Sequence, residues 1–131
     1  MKVIINIDVP ELAPAIEFYC AALGVKHART LDQDVAELIG ASSTMYLLKK
    51  ARGTQAVHQP AIARDYQRHW TPVHFDFVVP DVDVAAKRAL AAGARQESDR
   101  VDWCGSRCIS LSDPFGHGFC FIEFETNETY D

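Results

Sequence analysis

His74 and Asp76 stand two residues apart in the stretch Val73 to Val78. If that stretch is a β-strand, its period-two alternation puts both side chains on one face. An imidazole that titrates near neutrality, beside a carboxylate able to orient it, suits general acid–base work. The same pair also serves as a plain structural hydrogen bond, and the residues alone leave both readings open. By the same alternation Ile4, Asn6 and Asp8 share a face of the stretch Val3 to Asp8, where the Asn6 amide could fix a polar ligand. Near the other end of the chain, Cys120, Ile122 and Phe124 alternate with Phe121, Glu123 and Glu125. A Cys120 that faces a cavity therefore turns Glu123 away from it. A reactive thiol needs a neighbouring cation or helix N-terminus, so packing as a small hydrophobe is the expected role of Cys120. Trp70, beside His69, and Trp103 are the aromatic candidates for contact with a ligand or a partner subunit. Arg64, Arg68 and His69 could guide an anion, against the commoner outcome of a solvated polar face.

The elements that must position these residues are written twice. Val9-Pro10-Glu11-Leu12 recurs as Val79-Pro80-Asp81-Val82, each after a short apolar strand and before a helical stretch, Glu11 to Leu23 and Asp81 to Ala92. Leu12, Ala15, Ile16, Tyr19, Ala22 and Leu23 fall at helical steps and form a stripe that must lie on a sheet. Val82, Ala85, Ala86, Ala89, Leu90 and Ala92 repeat that stripe with smaller side chains. Gly24 and Gly93 follow the two helices, where a left-handed cap is expected. Three strand candidates come after each helix: Val25 to Thr30, Gln33 to Ile39 and Ser43 to Lys50, then Arg95 to Val101, Cys104 to Leu111 and Gly118 to Glu125. The expected fold is α+β, two tandem βαβββ modules in one domain over 1–131. Module one spans 1–50 and module two 73–131, joined by a polar segment, 51–72, in which Ala61 to His69 is a candidate short helix.

Composition narrows the function. Hydrophobic residues make up 48% of the 131 and charged residues 24%, enough apolar surface for a real core. The net charge of -5 comes without a dense Lys/Arg cluster, which argues against a nucleic-acid partner. No apolar run approaches the ~18 residues that would span a bilayer, so no membrane partner is expected. Cys20, Cys104, Cys108 and Cys120 contain no C-x-x-C pair. The start of the sequence, Met1-Lys2 leading into Val3-Ile4-Ile5 and Asp8, lacks the pattern of a secretory signal. A cytoplasmic setting with reduced thiols is the expectation.

Val9-Pro10-Glu11-Leu12-x-x-Ala15-Ile16-x-Phe18-Tyr19-x-x-x-Leu23-Gly24 is similar to the D-L-x-x-A-x-x-F-Y-x-x-x-L-G opening of vicinal-oxygen-chelate proteins. The second half resembles them more strongly, through His74-Phe75-Asp76-Phe77-Val78-Val79-x-Asp81, Ala91-Ala92-Gly93-Ala94 and Leu111-x-Asp113-Pro114-Phe115-Gly116-His117-x-Phe119-Cys120. That last string looks like the D-P-E-G-N-x-F-C ending of the glyoxalase-like subgroup. The resemblance, to the superfamily of glyoxalase I, bleomycin-resistance proteins and extradiol dioxygenases, covers the chain apart from the joining segment. It implies that each half forms an incomplete barrel around a small-molecule site, commonly completed in a homodimer. Metal-dependent members place one ligand on the first and last strand of each half, where a divalent ion acts as a Lewis acid.

Carried over residue by residue, those four positions are Ile4, Met45, His74 and Cys120. An isoleucine cannot bind a metal and a thioether is a poor ligand for a hard ion, while a catalytic zinc ordinarily keeps three protein ligands. The resemblance therefore implies a scaffold without its usual metal or any other cofactor. The expected function is small-molecule binding, with Ile4, Asn6, Met45, His74, Asp76, Trp103 and Cys120 as ligand-contacting candidates. Two alternatives stand beside it: a metal-independent lyase or isomerase with His74 and Asp76 as catalytic candidates, and a metal-dependent enzyme of glyoxalase or dioxygenase type.

Overall fold

The computed structural model of the chain describes residues 1–126 and 129–131. It divides into two compact units, Met1–Gln67 and Arg68–Asp131. The boundary falls inside the polar joining segment.

In the first unit β1 (Ile5–Val9) leads through Pro10 and Glu11 into α1 (Leu12–Leu23), followed by β2 (Lys26–Leu31), β3 (Val35–Ile39) and β4 (Met45–Lys49). The strand order is β1-β4-β3-β2, with β1 parallel to β4 and the other pairs antiparallel. Pro14 sits in the first turn of α1, where its missing N–H has no intrahelical partner to lose. Gly24, at φ 72°, ends the helix in the left-handed region and its N–H reaches the Cys20 carbonyl. Leu12, Ala15, Phe18, Tyr19 and Ala22 are buried on the helix; Ile7, Val9, Ala36, Leu38, Met45 and Leu47 are buried on the strands. Full burial of side chains of this size contributes about 1.5–3 kcal/mol each for the larger ones. Edge strand β2 is exposed along its length, and it carries Lys26, His27, Arg29 and a register irregularity between His27 and Arg29. Charge and a bulge are the usual protection of an open sheet edge.

Residues 51–67 form turns rather than the helix expected from Ala61 onward. The reason lies in where their backbone bonds go. Arg64 N donates to the Thr54 carbonyl, Ala56 N to Ile62, and Gln55 bridges Ala63, so the segment folds back on itself. Arg64 then pairs with Asp8 at 2.7 Å and the Tyr66 hydroxyl donates to the Lys50 carbonyl at 2.6 Å.

The second unit repeats the plan with β5 (Phe75–Val78), α2 (Val82–Ala92), β6 (Arg95–Gln96), β7 (Val101–Trp103), β8 (Ser106–Ser112) and β9 (Gly118–Phe124). Its order is β5-β9-β8-β6, with β7 also on β8; β5 is parallel to β9. The strand expected over Arg95 to Val101 is thus broken into two pieces. Glu97 N and Ser98 N both reach the Ser110 carbonyl, and Ser98 Oγ takes the Ser110 N–H, which bends the strand out of register. Asp81 caps α2 by accepting from Val84 N at 2.9 Å, and Gly93, at φ 115°, closes it. Glu123 turns to the helix side of β9, accepting from Val82 N at 3.1 Å and from Arg107 at 2.7 Å. Phe77, Phe119 and Phe121 form an edge-to-face cluster on that side, with Phe121 fully buried. Before β9, buried Asp113 accepts from Phe115 N and His117 N and sets the turn.

Among the described residues neither sheet closes on itself, and the architecture is α+β with the βαβββ order in each unit, the second strand of the second unit being split in two. Among the described residues no helix is long and apolar enough to cross a membrane.

Candidate functional site

The helix of the second unit covers one face of its sheet, and the other face carries the chemistry. Asp76 on β5 is in direct register with Cys120 on β9, which is in turn opposite Ser110 on β8. Alternation adds His74 before Asp76 and Cys108 before Ser110 to the same face. The structure joins these groups closely. His74 Nε2 is 3.1 Å from Asp76 Oδ1, and Ser110 Oγ is 3.4 Å from Cys120 Sγ. One donor atom each from His74, Asp76 and Cys120 lies within 4.8 Å of the other two, the one such cluster of three among the described residues. Cys120 is buried, whereas His74 and Asp76 are exposed.

A recess of about 180 Å³ opens onto this face, lined by Arg68, Trp70, Thr71, His74, Ser110 and Cys120 among others. Arg68 forms a two-pronged pair with Glu97, Nη2 to Oε2 at 2.9 Å, and also donates to the His69 carbonyl. The Arg68 hydrogen bond holds the Glu97 carboxyl below the usual carboxylate range, against the effect of burial. Gly118 leaves room for this guanidinium: a Cβ there would stand 2.6 Å from Arg68 Nη2. Trp70 is 80% exposed and offers an open aromatic surface at the recess.

Burial, followed by the neighbouring Cys120, pushes the Cys108 thiol up to about 12. Burial likewise raises the Cys120 thiol, partly offset by the Ser110 hydrogen bond. A raised thiol pKa runs against an activated nucleophile at either position.

The first unit has a different arrangement at equivalent positions. Ile4 and Asn6 are exposed. Met45, expected to contact ligand, is fully buried on the face that carries Ile7, Val9 and Leu47. The pairing register explains the correction. Asn6 pairs with Tyr46 as Asp76 pairs with Cys120, so Tyr46, one residue on, is the counterpart of Cys120. The Tyr46 hydroxyl donates to Glu37 at 2.7 Å, and Arg29 pairs with the same carboxylate at 3.1 and 3.2 Å. Arg29, then Tyr46, hold Glu37 below its ordinary range, and Glu37 raises Tyr46.

Of the residues singled out in the sequence, His74, Asp76 and Cys120 come together, while Trp103 lies outside the recess lining, against Tyr130 at 5.2 Å. Arg64 and Arg68, considered as guides for an anion, are paired with Asp8 and Glu97. Ser110 and Cys108 were reachable by period-two reading of β8. Nothing in the sequence links Glu97 to Arg68, 29 residues away.

The side chains at the four positions carried over from the resemblance are a poor match for a hard ion. Ile4 offers no donor atom, the first unit's last-strand position holds a tyrosine engaged with Glu37, and a buried thiol replaces the fourth donor.

A family model described as a glyoxalase-like domain matches residues 4–122. No curated protein sequence matches the chain. Among solved structures, the chain is similar to the genomically encoded fosfomycin resistance protein FosX from Listeria monocytogenes, at 17% identity and TM-score 0.72, covering 94% of this chain and 92% of that one. It is also similar to a lactoylglutathione lyase from Agrobacterium tumefaciens, at 20% identity and TM-score 0.65, with 94% and 92% covered. A glyoxalase/bleomycin resistance protein/dioxygenase from Nocardioides aligns at 19% identity and TM-score 0.68, over 99% and 86%. At such identities the structures speak for the fold, and together with the family match over nearly the whole sequence they identify the chain as a member of the glyoxalase-like family of the vicinal-oxygen-chelate superfamily.

Proposed function

We propose that this chain binds a small, partly aromatic polar molecule in the recess of its second unit, without the hard divalent ion of the superfamily's chelate chemistry. The observation that supports this reading is the make-up of the recess, with the Trp70 ring at an opening lined further by His74, Ser110 and Cys120. A lining that joins aromatic and apolar surface to convergent polar groups able to fix orientation suits a small polar molecule. The ring stacks the aromatic part; the imidazole and hydroxyl hydrogen-bond the polar part. Thermal melting across a panel of aromatic drugs and metabolites tests it, run with chelator and again with Mg(II) or Mn(II). A ligand at about 100 times its Kd adds about 2.7 kcal/mol to stability by linkage. Equal shifts with and without the added ion are expected, and smaller ones in Trp70→Ala. A panel without hits, or hits that require the added ion, would sink the proposal.

The 3.1 Å contact between His74 Nε2 and Asp76 favours a second reading, a metal-independent lyase or isomerase. With Nε2–H donated to the carboxylate, Nδ1 carries the lone pair and takes a proton from substrate, while Asp76 orients the ring. Turnover that survives in His74→Ala excludes this reading.

A further inference from the structure

The disagreement between the family's metal positions and this chain's donors has a positive side. We propose that His74, Asp76, Cys120 and Cys108 form a site for one thiophilic ion of the zinc class, contained wholly within the second unit.

Three of the four donors already lie within 4.8 Å of one another. Around a tetrahedral ion, with metal–ligand lengths near 2.0–2.3 Å, donor atoms stand roughly 3–4 Å apart. The contraction required is therefore small, and His74 and Asp76 are exposed enough to make it. Cys108, which stands outside that cluster of three, would supply the fourth donor. It pairs with Ile122, and Ser110, two residues on, pairs with Cys120, so both sulfurs project from the same face on adjacent strands. Two sulfurs, one imidazole and one carboxylate select zinc or a similar soft ion over magnesium, calcium or manganese. The set differs from the superfamily's in using Asp76 and Cys108, and it needs no ligand from the first unit.

Binding would form two metal–thiolate bonds, each thiol proton passing to solvent, with no change of oxidation state. His74 and Cys120 line the recess while Asp76 and Cys108 do not, so the ion would sit at its wall.

Titration of the chelator-stripped, reduced full chain with Co(II), followed by displacement with Zn(II), tests the site without any small molecule. One equivalent per chain is expected, with a thiolate-to-cobalt charge-transfer band. Cys108→Ser should retain about half of the band and Cys108→Ser/Cys120→Ser none, while Cys20→Ser and Cys104→Ser match the parent. His74→Ala should weaken Zn(II) binding by more than about tenfold, a scale that even outer-shell partners reach. No binding, binding without the band, or a full band in Cys108→Ser would each overturn the proposal. The band and the stoichiometry of the parent decide the matter even where a variant fails to fold. Because the recess ligand is absent from this titration, its failure leaves the small-molecule reading standing, and a panel without hits leaves the ion site standing.

Discussion

Asp76 and Cys120 are direct partners across the parallel β5–β9 pair, in the register that Asn6 and Tyr46 occupy in β1–β4. The same backbone relationship thus presents a carboxylate and a thiol in one unit and an amide and a phenol in the other. Function that depends on the second pair is open to substitutions confined to residues 68–131.

Gly118→Ala should act through Arg68. The new Cβ would meet the tip of a flexible side chain, so the guanidinium has to shift and its hold on Glu97 loosens. We expect altered affinity for a recess ligand with little loss of stability. In a double-mutant cycle with Arg68→Ala the two substitutions should couple by about 0.5–3 kcal/mol. Additive effects on affinity would show that the two residues act separately.

Acid should weaken the Arg68–Glu97 pair. The Glu97 carboxyl is held below its ordinary range, so its contribution is complete above the ordinary carboxylate pKa and fades as pH falls through the lowered one. Discounted for partial exposure, Glu97→Gln costs about 0.5–1 kcal/mol near neutrality. Melting temperatures of parent and variant, compared from about pH 7 down to about pH 3, should converge toward the acid end.

The cysteines should label in order of exposure and ionisation. Cys104 is exposed, whereas burial raises both Cys108, to about 12, and Cys120. Iodoacetamide at mildly alkaline pH, read by peptide mass spectrometry, should modify Cys104 well before either. The raised Cys108 pKa also implies stability that is complete below the free-thiol value of 9.0 and declines as pH rises toward about 12. Cys108→Ala should flatten that alkaline decline.

Glu123→Ala should destabilise the second unit. It removes the acceptor for Val82 N at the start of α2 and the partner of Arg107, together about 1–2 kcal/mol. Glu123→Gln keeps an acceptor for Val82 N and should cost less. Denaturant midpoints distinguish the two, and equal losses would assign the effect to the ion pair alone.

The duplicated plan was legible because it rests on local signals: the repeated valine-proline-acid turn, the helical stripes, and Gly24 and Gly93 in the left-handed region that the helix ends require. The face shared by His74 and Asp76 followed from alternation alone. Met45 was misplaced because aligning the last strands by sequence slipped one residue, and a slip of one carries a side chain to the opposite face. The break between β6 and β7 and the Arg68–Glu97 pair escaped for another reason. Both depend on partners distant in sequence, Ser110 for the bent strand and a residue of the joining segment for Glu97.

The Arg29–Glu37–Tyr46 network bears on how this scaffold could be reprogrammed. Its charges and hydroxyl answer one another on the sheet face of the first unit, so substitutions there break existing bonds before they offer a newcomer anything. A combinatorial library aimed at new binding partners would therefore do best to leave that unit as a chassis and diversify positions 70, 71, 110 and 118.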